Sequence, residues 1–171
     1  MDAPEATFTR ATLPTGGAAE TDFEKRRGIS HLDLRTGLAQ VHVGGMGIDP
    51  THERIALLKK VAEAGVSIDF LKLTPTGLSF VVAAEHVAAL RPALERGGAL
   101  HSVDEDRAIL LVHAVNMRDE EGMIAAILAK AIGSGLTIDH ASDMHDRMLL
   151  VLQRDEARRL AEMLAEGSEL V

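Results

Sequence analysis

The chain repeats itself, and this constrains its fold more than any other feature. With an offset of 70 positions and no gap, residues 39–95 align with residues 109–165. The repeat is longer than most solenoid units, and two copies are too few for an array, so the pattern indicates two copies of one small module. Identities and apolar matches recur along the alignment: Asp49/Asp119, Lys60/Lys130, Gly65/Gly135, Asp69/Asp139, Leu78/Met148, Phe80/Leu150, Val82/Leu152 and Leu94/Leu164.

Composition excludes several classes of function. The chain has 171 residues and a net charge of −8, which argues against a nucleic acid or an anionic membrane as partner. It contains no cysteine, so disulfides, thiolate catalysis and cysteine-based zinc sites are excluded. No apolar run is long enough to span a membrane, and the N-terminus lacks the apolar core of a signal peptide. We therefore expect a soluble, cytoplasmic protein.

Each repeat has the pattern strand–helix–strand–strand–helix. In the first repeat, Asp49-Pro50 predicts a helix start and Gly65 its end. Pro92 falls inside the second predicted helix and must kink or shorten it. The predicted elements are strand 39–43, loop 44–47, strands 66–73 and 78–83, and helix 85–95, and then strand 109–115, helix 120–132, strands 136–141 and 147–153, and helix 155–166. Asp119 is predicted to cap its helix as Asp49 does.

A sheet with both helices on one face buries the apolar sides of all these elements, and a fourth strand would complete each sheet. Strand 99–103 is available to the first module, and strand 29–35 is available to the second. We therefore predict an α+β fold with a first module at 28–103 and a second at 104–171, strand 29–35 being shared with the second. Residues 1–27 lack periodicity and are predicted to be a disordered tail or linker.

The repeated unit resembles an ACT domain, and the tandem pair resembles the regulatory region of aspartokinase. The most telling stretches are 62–69, Ala-Glu-Ala-Gly-Val-Ser-Ile-Asp, and 116–122. The resemblance implies two βαββαβ ferredoxin-like sandwiches with antiparallel sheets, paired side by side in a homodimer. It implies an amino-acid effector, lysine or threonine, bound between modules of the two chains. Nothing in the chain resembles the kinase catalytic domain, which fits a separate regulatory subunit.

The resemblance also implies the effector-binding positions, which are Ile48, Asp49, Thr51, His52, Ser67, Ile68, Leu73, Thr74, Met117, Thr137 and Ile138. A helix N-terminus suits the ligand's carboxylate, and Asp49 suits its ammonium group, although Asp49 is equally well explained as a helix cap. Four positions depart from the family pattern. Thr51 and His52 replace Pro-Gly, Ser67 replaces Asn, and Leu73 replaces Gln.

Other candidate sites have simpler explanations. The loop at 44–47, Gly-Gly-Met-Gly, lacks the spacing of a phosphate-binding loop and is predicted to be a tight turn. His and Asp residues crowd the second hairpin at 139–146 without a metal-binding spacing, which favours a solvated turn. His113 lies in an apolar strand and is predicted to be a hydrogen-bonded sheet residue. No catalytic set, metal site or cofactor is predicted.

These observations favour an amino-acid-binding regulatory protein that controls a partner kinase subunit allosterically, through ligand binding at an ACT–ACT interface. The alternative is a degenerate ACT pair that dimerises or binds a protein partner without a ligand. His52, Leu73 and Glu121 favour the alternative, since Glu121 would repel a carboxylate at the second helix start.

Overall fold

The computed structural model describes residues 8–11, 28–47, 49–95, 100–114, 117, 122–144 and 146–166. These residues form an α+β fold with antiparallel strand pairing, as predicted. The strands are β1 Phe8–Ala11, β2 Ile29–Gly44, β3 Phe70–Thr74, β4 Gly77–Ala83, β5 Leu100–Ala114, β6 Ile138–Asp143 and β7 Arg147–Gln153, and the α-helices are α1 Pro50–Glu63, α2 Val87–Glu95, α3 Met123–Gly133 and α4 Arg154–Glu166.

The chain divides into two compact units of the same design. Unit 1 is built on Gly37–Arg107, and unit 2 joins the stretch ending at Thr36 to the stretch beginning at Ala108. Unit 1 has the strand order β3-β4-β2-β5, and unit 2 has the order β6-β7-β5-β2. Strands β2 and β5 therefore serve both units: each is the first strand of one unit and the fourth strand of the other.

The core of unit 1 lies between its sheet and helices α1 and α2. Alternate residues of β2 and β4 point toward the helices, because successive side chains of a strand point to opposite faces of the sheet. The helices contribute residues at spacings of three and four, so both pack on the same face of the sheet. The buried residues include Ala39, Val41, Val43, Leu78, Phe80 and Val82 from the strands, and Leu57, Val61, Val87, Leu90 and Leu94 from the helices.

Unit 2 repeats this arrangement with α3 and α4. Its core joins β5 and β7 to the two helices, and Leu32 of β2 belongs to it as well. The matched residues of the sequence repeat are buried in corresponding places. Examples from the two cores are Leu57 and Ile127, Phe80 and Leu150, Leu90 and Leu160, and Leu94 and Leu164.

The ungapped alignment is wrong in the first strand of each repeat. In β2 the core-facing residues include Val41 and Val43, but in β5 they are Val112 and Ala114 rather than residues 111 and 113. The correct offset in these strands is therefore 71. A shift by one residue turns every side chain of a strand to the other face, so the ungapped alignment pairs core residues with residues of the opposite face. A one-residue difference in the loop before the helix restores the offset of 70.

Strands β2 and β5 are longer than predicted. The sequence predicted a break at Thr36-Gly37 between strands 29–35 and 39–43, and separate strands at 99–103 and 109–115, but β2 spans 16 residues and β5 spans 15. Gly37 has φ 75° and Asp106 has φ 65°. The positive φ at these two residues accommodates a local irregularity of the backbone, and each strand continues beyond it.

Within the predicted tail, Phe8–Ala11 forms β1, which pairs antiparallel with β2 between Leu32 and Arg35. The rest of residues 1–27 lies outside the described residues. The prediction of a tail or linker therefore differs from the structure at these four residues. No helix of the described residues is long and apolar enough to cross a membrane.

Two helices start later than predicted. α2 starts only at Val87, after one turn of 3-10 helix at Ala84–His86, so Pro92 lies near its middle. α3 starts at Met123, and its N-cap is Gly122 with φ 85° and no side-chain hydrogen bond. Asp119, which was predicted to cap this helix, lies outside the described residues.

Candidate functional site

The loop between β2 and α1 in unit 1 is the predicted effector site, and it is a tight turn. Gly45 has φ 70°, a conformation that suits glycine. The Met46 side chain is buried in the unit 1 core, and its N–H donates to the carbonyl oxygen of Thr76 at 3.0 Å. The loop is therefore anchored both to the core and to the β3–β4 turn.

The loop does not have the character of a phosphate site. The N–H of Gly47 donates to Glu53 Oε1 of α1 at 3.0 Å. A phosphate-binding loop needs its N–H groups for the ligand, and a carboxylate in that place repels an anion. The interpretation of 44–47 as a structural turn agrees with this contact.

Asp49 caps α1 as predicted. Its Oδ1 accepts a hydrogen bond from the N–H of His52 at 3.0 Å, and Pro50 occupies the first helical position. The carboxylate also interacts favourably with the positive end of the helix dipole. Asp49 and Glu53 thus place two acidic side chains at the start of α1, where a cationic group would be attracted.

We expect Asp49→Ala to lower the free energy of unfolding by about 1 kcal/mol, because the His52 N–H loses its acceptor. Asp49→Asn should preserve most of this stability, since asparagine is an equally good cap. Urea denaturation followed by circular dichroism would measure both variants. A cost for Asn as large as that for Ala would show that the charge, not the cap, stabilises the helix.

Arg54 holds the β3–β4 turn against the first turn of α1. Its Nε donates to the carbonyl oxygen of Gly77 at 3.0 Å, and its Nη2 donates to those of Pro75, at 3.0 Å, and Thr74. A guanidinium presents its donors in a fixed fork, which suits several carbonyl groups of one turn. Arg54 therefore fixes Thr74, one of the predicted site residues, relative to the helix start.

The remaining predicted positions of unit 1 differ in exposure. Thr51, His52 and Ser67 are exposed, and Ile68 packs against the core. Leu73 is 58% exposed on β3, which ends the strand order of unit 1. Ile48 lies outside the described residues.

The predicted ligand-binding residues of unit 2 make contacts within that unit. Met117 is buried in the core, and Ile138 packs against it. The N–H of Thr137 donates to Glu156 Oε1 of α4 at 3.4 Å. The position of these residues relative to a ligand stays a prediction.

Sequence reasoning missed Glu53 and Arg54, which hold the loop and the turn. A capping box would place the acid at the third helical position. Glu53 is the fourth residue of α1 and turns back to Gly47 instead of Asp49. The available signal was an Asp-Pro helix start followed closely by Glu-Arg.

The turn of the second hairpin is exposed at Asp143, Met144 and Asp146, as predicted, whereas one histidine of its strand β6 is buried. His140 of β6 is 8% exposed, opposite Val151 of β7. Asp146 accepts hydrogen bonds from Arg147 Nε at 2.9 Å and Nη2 at 3.1 Å, which lowers the pKa of the Asp146 carboxyl. His145 lies outside the described residues. This hairpin holds an ion pair and a buried histidine, and no metal-binding group is found among its described residues.

No protein-family model and no curated protein matches this sequence. Solved structures do match it. The structure of aspartokinase alpha and beta subunits aligns with a TM-score of 0.74 and 18% identity, over 83% of this chain and 99% of that one. The ligand-free regulatory subunit of aspartate kinase from Thermus thermophilus aligns with a TM-score of 0.70 and 16% identity, over 83% and 99%.

Full-length kinases match through a smaller part of their chains. E. coli aspartokinase III in complex with lysine and aspartate aligns with a TM-score of 0.68 and 10% identity, over 87% of this chain and 34% of that one. Identities this low establish the fold alone. The resemblance predicted from the sequence is confirmed at that level: the chain has the tandem ACT-like fold of the regulatory subunits and regulatory regions of aspartate kinase.

Proposed function

We propose that this chain is a non-catalytic regulatory protein that binds an amino acid, forms a homodimer, and controls a separate kinase subunit. The observation that carries the proposal is the extent of the structural match. It covers 83% of this chain and 99% of a free-standing regulatory subunit, so the similarity corresponds to a whole regulatory chain. The fold supports the regulatory role, and the amino-acid ligand and the partners are proposed in addition to it.

The acidic start of α1 favours lysine over threonine as the ligand. Asp49 and Glu53 both lie there, and Arg54, the adjacent cation, is bound to the carbonyl groups of the β3–β4 turn. At the N-terminus of α1, the His52 N–H already donates to the Asp49 carboxylate, which would compete with a ligand carboxylate for this position. An ammonium group placed beside Asp49 and Glu53 gains attraction from both, and lysine carries two such groups.

The edge strand β3 supports dimer formation. Leu71 is 41% exposed and Leu73 is 58% exposed on this strand. An edge strand with exposed apolar side chains is a natural place for pairing with a second chain. We propose that a second copy pairs along β3 and completes the ligand site next to Thr74. Ligand binding would then favour one arrangement of the dimer, which the kinase subunit senses.

The exposure of Leu73 equally favours the second candidate function, a degenerate ACT pair that binds a protein partner without an amino acid. Glutamine would offer an amide to a ligand at this position, whereas leucine offers apolar contact alone. The two candidates differ in one measurable property, which is the binding of a free amino acid.

A thermal-shift screen of the common amino acids, confirmed by calorimetry, tests the proposal. At 100 times its dissociation constant, a ligand specific for the folded state adds about 2.7 kcal/mol of stability. We expect lysine to give the largest shift, and Asp49→Asn to weaken binding about tenfold while keeping the helix cap. Absence of any shift at millimolar amino acid would overturn the sensor and leave the degenerate pair.

Sedimentation tests the dimer separately. Leu73→Lys should convert the dimer to a monomer at micromolar concentration, because lysine on an edge strand opposes pairing. Ile132→Lys is the matched control, since Ile132 is 66% exposed on α3 of unit 2. A wild-type chain that sediments as a monomer would contradict the proposed site.

A further inference from the structure

The face of the unit 2 sheet opposite its helices carries a partly buried cluster of two histidines and one aspartate. His31 and Asp33 are two residues apart on β2 and therefore share a face of the sheet. His113 lies on β5, the neighbouring strand in unit 2. Among the described residues, His31, Asp33 and His113 are the group of three side chains whose ligand atoms converge, all within 4.8 Å of one another.

Both histidines direct Nε2 to the same carboxylate oxygen. The distance to Asp33 Oδ2 is 3.1 Å from His113 and 3.4 Å from His31. The two rings are stacked, with centroids 3.8 Å apart and planes at 16°. His113 Nε2 is nevertheless buried without a hydrogen-bond partner, since its geometry toward Asp33 does not fit one. The predicted role of His113 as a hydrogen-bonded sheet residue is thus wrong for its side chain.

A metal ion explains this spacing better than hydrogen bonding does. A tetrahedral ion with ligands at 2.0–2.1 Å holds its ligand atoms about 3.3 Å apart. The two distances between Nε2 and Oδ2 lie on either side of that value. Without a metal ion, the buried Nε2 of His113 has no hydrogen-bond partner. A buried polar atom without a partner destabilises the folded state and requires an explanation.

The surroundings favour the tautomer that a metal requires. The Ser30 hydroxyl donates its single hydrogen to the carbonyl oxygen of His113 at 3.1 Å. Its contact with His31 Nδ1, at 3.5 Å, then requires Nδ1 to be the donor, which leaves the lone pair of neutral His31 on Nε2. Such an outer contact orients a metal-binding histidine.

We propose that His31, Asp33 and His113 bind a divalent transition-metal ion, with Zn²⁺ as the fitting species. Imidazole nitrogen with one carboxylate suits Zn²⁺, Ni²⁺, Co²⁺ or Cu²⁺, whereas Ca²⁺ and Mg²⁺ prefer oxygen ligands alone. Three protein ligands leave one position for water or for a group from a partner. The ion would join β2 to β5 inside unit 2 and stabilise the pairing of these two strands.

Unit 1 contains an internal control for this cluster. With the strand offset of 71, His113 corresponds to His42 and Asp33 to Asp104. His42 Nε2 lies 3.3 Å from Asp104 Oδ2, so the pair is preserved. The position of His31, however, corresponds to Ser102, which cannot replace an imidazole ligand. The His–Asp pair therefore occurs in both units, whereas the position of the third ligand holds histidine in unit 2 and serine in unit 1.

The test is equilibrium dialysis of the full chain against micromolar Zn²⁺, with bound metal measured by mass spectrometry and affinity by calorimetry. We expect one equivalent per chain for the wild type and for His42→Gln. His113→Gln and Asp33→Asn should each weaken binding at least 100-fold. His31→Gln, at a more exposed position, serves as the decisive variant should His113→Gln fail to fold.

Cobalt gives a second, spectroscopic measurement. Co²⁺ bound to the wild type should show the intense visible absorption of a four-coordinate site, and the spectrum should be lost in His31→Gln and kept in His42→Gln. Zn²⁺ should also raise the melting temperature of the wild type, and leave that of His31→Gln unchanged. No stoichiometric binding by the wild type, or equal binding by His31→Gln, would overturn the proposal. Neither outcome bears on amino-acid binding at unit 1.

Discussion

Replacing Gly77 by alanine is expected to lower the free energy of unfolding by about 3 kcal/mol or more, because the new methyl group has no space. A Cβ at this position would lie 1.9 Å from the carbonyl oxygen of Val43 and 2.9 Å from the Cα of Gly44. Both obstacles are backbone atoms of β2, the strand that pairs with β4. They cannot move aside as a flexible side chain would, so the two strands must separate locally.

The consequence extends to the candidate ligand site. Gly77 begins β4, and its carbonyl oxygen accepts a hydrogen bond from Arg54. The preceding residue, Thr76, accepts one from Met46 of the β2–α1 loop. A displaced turn therefore disturbs the loop and the helix start together. We expect Gly77→Ala to lose amino-acid binding along with stability.

Gly133→Ala is the matched control. Gly133 is the last residue of α3, and a Cβ there would meet no atom within 4 Å. Its stability should stay unchanged or increase by up to about 1 kcal/mol, because alanine restricts the unfolded chain. Urea denaturation followed by circular dichroism compares the two variants. A Gly77→Ala protein as stable as the wild type would show that β2 and β4 do not approach each other this closely.

The repeat made the fold predictable from the sequence. Leu90 and Leu160 occupy the same place in their respective helices, and both are fully buried. A helical pattern tolerates small errors of register, because neighbouring turns cover overlapping surface. The helices and the hairpin of each module could therefore be placed from apolar spacing.

The first strands show where this reasoning reaches its limit. The ungapped alignment paired Val43 with His113, an apolar core residue with a polar residue of the opposite face. The identical pair was His42 and His113, one residue along. In a strand, an error of one residue exchanges the two faces. From the sequence, each of the shared strands β2 and β5 was also predicted as two shorter strands. Gly37 and the charged residues 104–107 are typical of turns, but pairing with neighbouring strands keeps the backbone extended there.

The sequence predicted only those features of the candidate sites that depend on neighbouring residues in the chain. Asp49-Pro50 identifies a helix cap from adjacent residues, and the structure contains that cap. The pair of Arg54 and Gly77 depends on packing between elements 23 residues apart. The cluster of His31 and His113 depends on the pairing of strands that are distant in sequence. Such arrangements become visible only once strand order is known.

Truncation of the two matched core residues should have the largest effect after Gly77. We expect Phe80→Ala to lower the free energy of unfolding by about 4 kcal/mol and Leu150→Ala by about 3 kcal/mol, since each leaves a cavity in a close-packed core. Both side chains are 0% exposed. Urea denaturation would measure the total cost. Ile132→Ala, at a site 66% exposed on α3, should change stability by less than about 0.5 kcal/mol.

Hydrogen exchange distinguishes the two substitutions, because Phe80 and Leu150 belong to different clusters of buried residues. Phe80 belongs to the cluster of unit 1 and Leu150 to that of unit 2, and the two clusters have no member in common among the described residues. Phe80→Ala should therefore accelerate amide exchange first in α1, α2 and β4, and Leu150→Ala first in α3, α4 and β7. Equal acceleration throughout the chain by either variant would show that the two cores unfold as one cooperative structure. Selective acceleration would show that each module retains its own stability, as expected when two copies of one unit each bury a complete core.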